Sequence, residues 1–479
     1  MAQQQFASKI GLVAATVGSA VGLGTVWRFP AETQAGGGAA FLLIYVLCIL
    51  VLGIPVMLAE FALGRGGGSD AIGSYKALSP HGKWHYGGLL AVIAATLIMM
   101  FYMVVGGWTL EYLLNSITGD LYGNLRLHDN ANEAFTEVMH NYVYTDFMPV
   151  VNAVLMVGIN IAILLGGVQK GIERLSTITM PILFLLLAVF CCYTLTLDGA
   201  GQGVKFFLSP DFSKITPSVV VSAMGQAFFS LSLGMGILVT YASYFPKDTN
   251  LTRTSVTVCI STLLVAILMG LIIFPALTSF GLSDRDVSGT TLVFVTLPEM
   301  FTHMPGTQLW SIAFFALLLI AALTSTVSLA EVPIAYIQHR YNTKRSTAVL
   351  VTLLPIAACS DMRHVLWLAV MDTHNGTEHL QLFRQPHILH YASRGGTDYM
   401  HIHRMVCTQG IDARPAESWQ GTSFYDGSAS HLRYTHPRTG LHNHHTCVQS
   451  FEHLRCCRNT PYTCRRAYRG RCRTTQVCS

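Results

Sequence analysis

Charged residues are scarce in this chain: they make up 11% of its 479 residues, whereas 51% are hydrophobic. A soluble domain ordinarily carries about 25% charged residues, so the composition argues against a soluble globular protein. A removable secretory signal is not expected, because the polar start MAQQQFASK has one lysine, Lys9, and runs directly into a glycine-rich apolar segment. No basic surface accompanies a nucleic-acid-binding motif, so no nucleic-acid partner is expected.

Long apolar stretches are abundant, and about 20 such residues are enough for a helix to cross a bilayer. Eight stretches qualify: 10–30, 39–62, 88–114, 149–168, 175–196, 216–243, 254–279 and 308–339. A ninth begins near residue 346 and weakens after Ala358. The segments 116–148 and 283–304 are expected to carry short amphipathic helices. The pattern predicts an all-α polytopic membrane protein.

The basic residues between these stretches predict how the chain is oriented. With a cytoplasmic N-terminus, 11 of the lysines and arginines in residues 1–360 fall on the cytoplasmic side and 4 on the other. Such an excess on the inner side is typical of membrane proteins. We therefore predict a multi-pass protein of the plasma membrane, surrounded by lipid and with its N-terminus in the cytoplasm.

The last 119 residues differ in composition from the rest. They contain no lysine, but hold 14 arginines, 13 of the 19 histidines and 7 of the 12 cysteines. Domain boundaries normally fall in exposed linkers, whereas this change falls inside an apolar stretch. We predict a membrane domain at 1–359 and an unrelated tail at 360–479, disordered or translated out of frame. A metal-binding tail is the alternative, but its histidines and cysteines lack zinc-site spacing.

Two apolar stretches are interrupted by glycine at corresponding places. One interruption is Gly18–Gly24 (GSAVGLG) and the other is Ser230–Gly236 (SLSLGMG). Paired breaks five helices apart are typical of inverted repeats whose broken helices meet at a midplane binding site. The freed amides there can hold a carboxylate and the freed carbonyls a sodium ion. Close helix packing is the alternative explanation for the glycines.

Several polar residues within the apolar stretches are candidates for function. Arg28, near the end of the first helix, needs an acidic partner or else extends to the headgroups. Tyr102 offers a hydroxyl to an anion or to a core hydrogen bond. Thr324 and Ser325 offer oxygen ligands, or hydrogen bonds to helix carbonyls. No acidic residue lies beside the glycine breaks in sequence, which disfavours a proton-coupled carrier; Glu60, Glu111 and Glu331 are interpreted as structural or interfacial.

Two long segments resemble the neurotransmitter:sodium symporter family. They are Gly18–Arg65, which begins GSAVGLGTVWRFP, and Gly225–Lys247, which reads GQAFFSLSLGMGILVTYASYFPK. The resemblance covers residues 6–355. It implies an inverted five-plus-five helix repeat with broken helices 1 and 6, here with a truncated second repeat, and sodium-coupled symport of an amino acid by alternating access. A homodimer is compatible with it, and an enzyme is not expected.

The resemblance also implies a set of site residues, including two sodium sites. One sodium site would use Gly18, Val21, Ala321, Thr324 and Ser325. The other would use Ala20, Thr25, Ser230 and Ser261 with the substrate carboxylate. The substrate would contact Gly22, Leu23, Gly24, Ile98, Tyr102, Phe229, Ser232, Met235, Ser325 and Leu329, and Arg28 would act as a gate.

Gly22 indicates the substrate class. Family members that move amines are expected to carry aspartate there, whereas glycine leaves room for a substrate carboxylate, and the apolar pocket favours an apolar or aromatic side chain. Gly171 and Pro181 resemble a family element that unwinds to admit water, although an ordinary helix start would also explain them.

The chain departs from the family pattern at several positions. Thr25 and Ser261 replace asparagines, which gives some weight to a non-transporting binding protein or inactive remnant of the same fold. Tyr45, Gln226 and Ser230 match part of the chloride site but Val265 does not, so chloride dependence stays open. Gln3 replaces a gate arginine. The tenth helix, expected to supply the acidic partner of Arg28, is not matched.

Overall fold

The computed structural model describes residues 5–127, 130–144, 147–283 and 289–358. The predicted tail at 360–479 and Gln3 lie outside the described residues. The described part is built from α-helices, which we number in chain order. They are α1 Lys9–Ala20, α2 Phe29–Ala35, α3 Ala39–Cys48, α4 Ile54–Gly67, α5 Ala71–Leu78, α6 His85–Thr118, α7 Ala131–Tyr144, α8 Met148–Leu165, α9 Arg174–Leu195, α10 Ala200–Leu208, α11 Pro217–Ser230, α12 Ile237–Ser243, α13 Leu251–Ser279, α14 Gly289–Thr291, α15 Leu297–Thr302, α16 Thr307–Tyr341 and α17 Arg345–Ala358.

The predicted membrane spans correspond to these helices. Among the described residues, six continuous helical segments are long and apolar enough to cross a membrane, and α1 with Gly24–Ala35 forms a seventh, bent span. The predicted span 216–243 is divided between α11 and α12. Their 14 and 7 residues would together cover about 30 Å, so both halves are needed to cross the hydrocarbon core. Short helices also lie in both connections where they were expected, as α7, α14 and α15.

Both predicted breaks are breaks in the structure. At the first, the chain leaves α1 at Val21 and the helix axis turns by 52° before Gly24–Ala35 continues. At the second, residues 231–236 are turns between α11 and α12. Ser232 adopts a φ of 55°, and Gly234 and Gly236 adopt 77° and 74°. This left-handed conformation costs little for glycine and more for other residues, which explains why the interruption contains two glycines.

In the first broken span, α1 packs against α9, α13 and α16. In the second, α11 packs against α3, and α12 packs against α4 and α16. In α16, the residues from Ala321 to Ala335 are all buried except Leu323, which is partly exposed. Helices α3, α8 and α9 instead expose large apolar side chains, as is expected of helices that face lipid. We call the end of the bundle that holds residues 5–9 the N-terminal side, and the opposite end the Arg28 side.

Candidate functional site

A central cavity lies where the two breaks meet. Of the predicted site residues, twelve line it, contributed by the first break, α6, the second break and α16. Ser19 and Ile237 also line the cavity and were not predicted. The lining is Ser19, Ala20, Gly22, Gly24, Thr25, Ile98, Tyr102, Phe229, Ser230, Ser232, Met235, Ile237, Ser325 and Leu329.

Two glycines of the first break allow the neighbouring helices to approach closely. A Cβ atom at Gly22 would lie 2.5 Å from the Ser325 hydroxyl oxygen and 3.3 Å from the Tyr102 hydroxyl oxygen. A Cβ at Gly24 would overlap the Phe229 ring. A side chain at either position would therefore displace the cavity walls. The two breaks are also joined directly, because the Ser232 hydroxyl donates to the Ser19 carbonyl over 2.8 Å.

The five residues of the first predicted sodium site lie where α1 ends beside α16. A Cβ at Gly18 would lie 3.3 Å from the Thr324 Cβ, so the two helices are nearly in contact. The Thr324 hydroxyl donates to the Ile320 and Ala321 carbonyls, each at 3.1 Å. The Ser325 hydroxyl is buried and has no hydrogen-bond partner among the described residues. A buried hydroxyl without a partner costs free energy, and an oxygen-coordinated cation would remove that cost. Val21 and Ala321 are fully buried beside this point.

The second predicted sodium site is assembled less completely. The Thr25 hydroxyl is buried and has no partner among the described residues, whereas the Ser230 hydroxyl is paired with the Tyr45 hydroxyl at 2.8 Å. Ala20, Thr25 and Ser230 line the cavity, but Ser261 on α13 does not and is only half-buried. Leu23 is fully buried but likewise does not line the cavity. The structure thus collects three of the four predicted ligands.

A hydrogen bond between the Gln226 side chain and the Gly24 backbone lies beside this second site. The Gln226 amide donates to the Gly24 carbonyl over 3.1 Å, while its own carbonyl oxygen is buried without a partner among the described residues. Val265 is fully buried. Gln226 lies one helical turn before Ser230 on α11, and Ser230 is hydrogen-bonded to Tyr45.

On the Arg28 side, one ion pair lies above the cavity. The Arg28 Nε lies 3.2 Å from a Glu32 oxygen, one helical turn along the chain, and the other Glu32 oxygen accepts from Ser222. The guanidinium carbon lies 6.0 Å from the centre of the Phe229 ring, which forms part of the cavity wall. Sequence analysis expected an acidic partner from a tenth helix. The described residues supply a local one, which the i,i+4 spacing of Arg28 and Glu32 would have revealed.

On the N-terminal side, Ala7 and Ser8 are bound to Glu173 at the start of α9. One Glu173 oxygen accepts from the Ala7 amide at 2.7 Å, and the other accepts from the Ser8 amide at 3.0 Å and the Ser8 hydroxyl at 2.7 Å. Phe6 packs against Tyr241, Tyr244 and Phe245. This aromatic cluster lies on the N-terminal side, beginning one helical turn beyond the cavity-lining Ile237.

A buried ion pair lies next to that cluster. Arg345 contacts both oxygens of Glu331 at 3.0 and 2.7 Å, and Tyr244 donates to Glu331 over 2.8 Å. Arg345 also donates to the Leu164 carbonyl over 2.7 Å. The interpretation of Glu331 as a structural residue agrees with these contacts.

A second pair on the N-terminal side joins α5 to the end of α16. The His339 Nδ1 accepts from the Asp70 amide at 2.9 Å and lies 3.3 Å from an Asp70 carboxylate oxygen. Burial acts to raise the pKa of Asp70, but the neighbouring His339 and the hydrogen bonds from Gly73 and Ser69 outweigh it and lower the pKa below its ordinary value. Asp70 also caps α5 through the Ile72 and Gly73 amides.

Glu60 corrects an expectation from the sequence. No acidic residue lies beside the glycine breaks along the chain, yet in space a Glu60 oxygen accepts from the Gly234 amide at 2.7 Å. Its other oxygen is buried and has no partner among the described residues. Glu60 on α4 therefore holds the second break from outside the cavity. The position of Glu60 inside the apolar stretch 39–62 could have indicated such a role from the sequence.

Paired broken helices around a buried cavity are typical of membrane transporters. Residues 3–145 and 138–393 match the sodium:neurotransmitter symporter family. The chain belongs to this family, so the predicted family and the all-α polytopic fold class are confirmed.

Individual relatives agree with this assignment. An uncharacterized sodium-dependent transporter, YhdH of Bacillus subtilis (strain 168), is 40% identical over 360 residues, which cover 74% of this chain and 78% of the relative. A sodium- and chloride-dependent GABA transporter of Drosophila melanogaster, ine, is 30% identical over 385 residues, which cover 71% of this chain and 40% of the relative. The crystal structure of MhsT in complex with L-phenylalanine matches with a TM-score of 0.69 and 43% identity, covering 75% of this chain and 80% of that one.

Proposed function

We propose that this protein couples sodium entry to the uptake of an amino acid with an apolar or aromatic side chain. The observation that carries the proposal is the cavity between the two breaks, which combines freed backbone groups with the buried, unpaired hydroxyls of Thr25 and Ser325. Sodium prefers such hard oxygen ligands. Sodium-dependent relatives and the phenylalanine complex of MhsT support the same assignment.

Two sodium ions are proposed to accompany the substrate. One would bind the carbonyls of Gly18, Val21 and Ala321 with the hydroxyls of Thr324 and Ser325. The second would bind Ala20, Thr25 and Ser230, with Ser261 joining only if α13 moves toward the cavity. In that second site the substrate carboxylate supplies a further oxygen, which would make substrate and sodium bind together.

The substrate is proposed to bind along the first break. Its carboxylate would meet the amides of Leu23 and Gly24 and the Tyr102 hydroxyl, and Gly22 leaves the room for it. Its side chain would lie among apolar groups on three sides of the cavity. These groups are Ile98, Phe229, Met235 and Leu329, with Ser232 and Ser325 at the polar end.

Transport requires that the cavity open to each side in turn. We propose that the N-terminal side faces the cytoplasm of a plasma membrane, in agreement with the excess of basic residues there. Arg28 and Glu32 would separate to admit substrate. Release would follow loosening of the segment 168–173, where Gly171 packs on the Ile163 carbonyl, ahead of Pro181 within α9.

Uptake into proteoliposomes tests the proposal. Radiolabelled phenylalanine, leucine and glycine would be offered with an inward sodium gradient, and a potassium gradient would serve as the control. Replacing chloride with gluconate would test the chloride dependence of uptake. We expect sodium-dependent uptake of the first two amino acids, and a roughly tenfold higher sodium requirement in Ser325→Ala. Thr326→Val is the matched control, because that neighbouring hydroxyl already donates to the Leu323 carbonyl and is not among the predicted ligands. Sodium-dependent binding without uptake would instead favour a non-transporting binding protein.

The division of the chain near residue 359 is also a proposal. The change of composition supports it, although the family match continues past this boundary to residue 393. Resequencing the gene across codons 345–395 and translating all three frames tests it. Apolar helices in another frame would support a reading-frame error, and an unchanged sequence would mean that the tail belongs to the protein.

A further inference from the structure

A second cavity lies on the surface between the end of α8 and the start of α9, away from the central site. It has a volume of about 290 Å³. Its apolar wall includes Ala162, Ile163, Leu175 and Ile178, and its polar rim carries Lys170 and Arg174. The cavity therefore presents an apolar slot that ends in two positive charges.

The two cations of this cavity are not neutralised by the protein. Lys170 and Arg174 are four residues apart, both are exposed, and neither forms an ion pair within the described part of the chain. The nearest acid in sequence, Glu173, is buried and uses both oxygens to bind Ala7 and Ser8. A cation in the first turn of a helix is also unfavourable for the helix dipole. An external anion would relieve both effects.

The position of the cavity identifies the kind of anion. Helices α8 and α9 both reach the N-terminal side here, so the cations lie at the level of the headgroups. Ile178 is 54% exposed and Leu165 is 48% exposed, which places lipid-facing apolar surface directly beside the charges. Basic pockets between membrane helices on the cytoplasmic side are suited to anionic lipid headgroups.

We propose that this cavity is a binding site for an anionic phospholipid of the leaflet on the N-terminal side. The phosphate would contact Lys170 and Arg174, and the first part of an acyl chain would lie on Ile163 and Ile178. This inference does not depend on the identity of the substrate, because none of these residues lines the central cavity.

Native mass spectrometry of the full-length protein tests the site. Protein in mild detergent would be titrated with phosphatidylglycerol or with phosphatidylcholine of the same acyl chains. We expect selective binding of one phosphatidylglycerol. Removing cations costs about fivefold in affinity for each, so K170Q/R174Q should bind it roughly 25-fold more weakly. K247Q/R253Q is the matched control, because it removes two exposed cations on the same side outside the cavity.

A second variant separates the cavity from the charge. Ala162→Trp would fill the apolar slot while leaving both cations, and it should also reduce phosphatidylglycerol binding severalfold. Inorganic phosphate in large molar excess over the lipid should not displace it, because phosphate makes no contact with the apolar wall of the cavity. The proposal would be overturned if K170Q/R174Q and K247Q/R253Q bound phosphatidylglycerol equally well. It would also be overturned if the protein bound the two lipids equally well, or if phosphate alone displaced the lipid.

Discussion

The two sides of the central cavity are closed by different means. On the Arg28 side, a single ion pair between neighbouring turns lies above Phe229, and the Arg28 and Glu32 side chains are 40% and 28% exposed. On the N-terminal side, an aromatic cluster, the Glu173 hydrogen bonds and the Arg345–Glu331 pair lie in layers. In that pair the side chains are 13% and 0% exposed.

This difference indicates which side opens at lower cost. An ion pair that is partly in water contributes about 0–1 kcal/mol, whereas separating a buried pair leaves a charge without its partner. The Arg28 side is therefore expected to open at the lower cost. The following predictions test this comparison, beginning with the largest expected effect.

Arg345→Ala should be the most destabilising of the changes considered. It leaves the buried Glu331 carboxylate without its cation, which typically costs 3–5 kcal/mol. Thermal unfolding of purified protein, followed by tryptophan fluorescence, would measure it. The double variant E331Q/R345M removes both charges and should recover much of the loss. A melting temperature for Arg345→Ala equal to that of Arg28→Ala would contradict the proposed difference between the sides.

Glu173→Ala should release the N-terminal segment. The carboxylate accepts three hydrogen bonds from Ala7 and Ser8, and hydrogen bonds to charged groups contribute about 1.5–3 kcal/mol each. We expect trypsin to cleave after Lys9 at least roughly tenfold faster, because cleavage follows the population of the open form.

Asp248→Asn is the control for that experiment. It removes the Lys9–Asp248 pair, whose side chains are 75% and 68% exposed, so cleavage should change by less than about twofold. If both variants were cleaved at the same rate, Glu173 would not be what holds the segment.

Arg28→Gln should have little effect on stability and a larger effect on transport. The pair with Glu32 is partly exposed, so unfolding should change by less than about 1 kcal/mol. Loss of the guanidinium above Phe229 should slow sodium-driven uptake severalfold, with Arg28→Lys intermediate because a lysine cannot stack its charge over the ring in the same way. A large fall in melting temperature would show that the Arg28 side is held as firmly as the other.

The smallest expected effect is a pH dependence from Asp70. Because its pKa is lowered in the folded protein, its contribution to stability is complete above the ordinary aspartate value of about 3.9. It is lost as the pH falls through the lowered folded value. The melting temperature of the unaltered protein should therefore fall more steeply below pH 4 than that of Asp70→Asn. Parallel curves would exclude this contribution.

Sequence alone determined where the helices lie and where two of them break. The spans follow from apolar length, since a bilayer permits few other backbone structures. The breaks follow from Gly22 and Gly24 in one span and Gly234 and Gly236 in the other, since glycine weakens a helix and tolerates a left-handed φ. Resemblance to a family then predicted most of the cavity lining, from Ala20 to Leu329.

Only the tertiary structure decided which side chains meet across helices. Glu60 reaches the Gly234 amide 174 residues away, and His339 meets Asp70 on another helix, while Ser261 stays out of the cavity in spite of its predicted role. Such contacts depend on how each helix is rotated and how closely it approaches its neighbours. Those quantities are set by the packing of the whole bundle, and neither composition nor spacing along the chain specifies them.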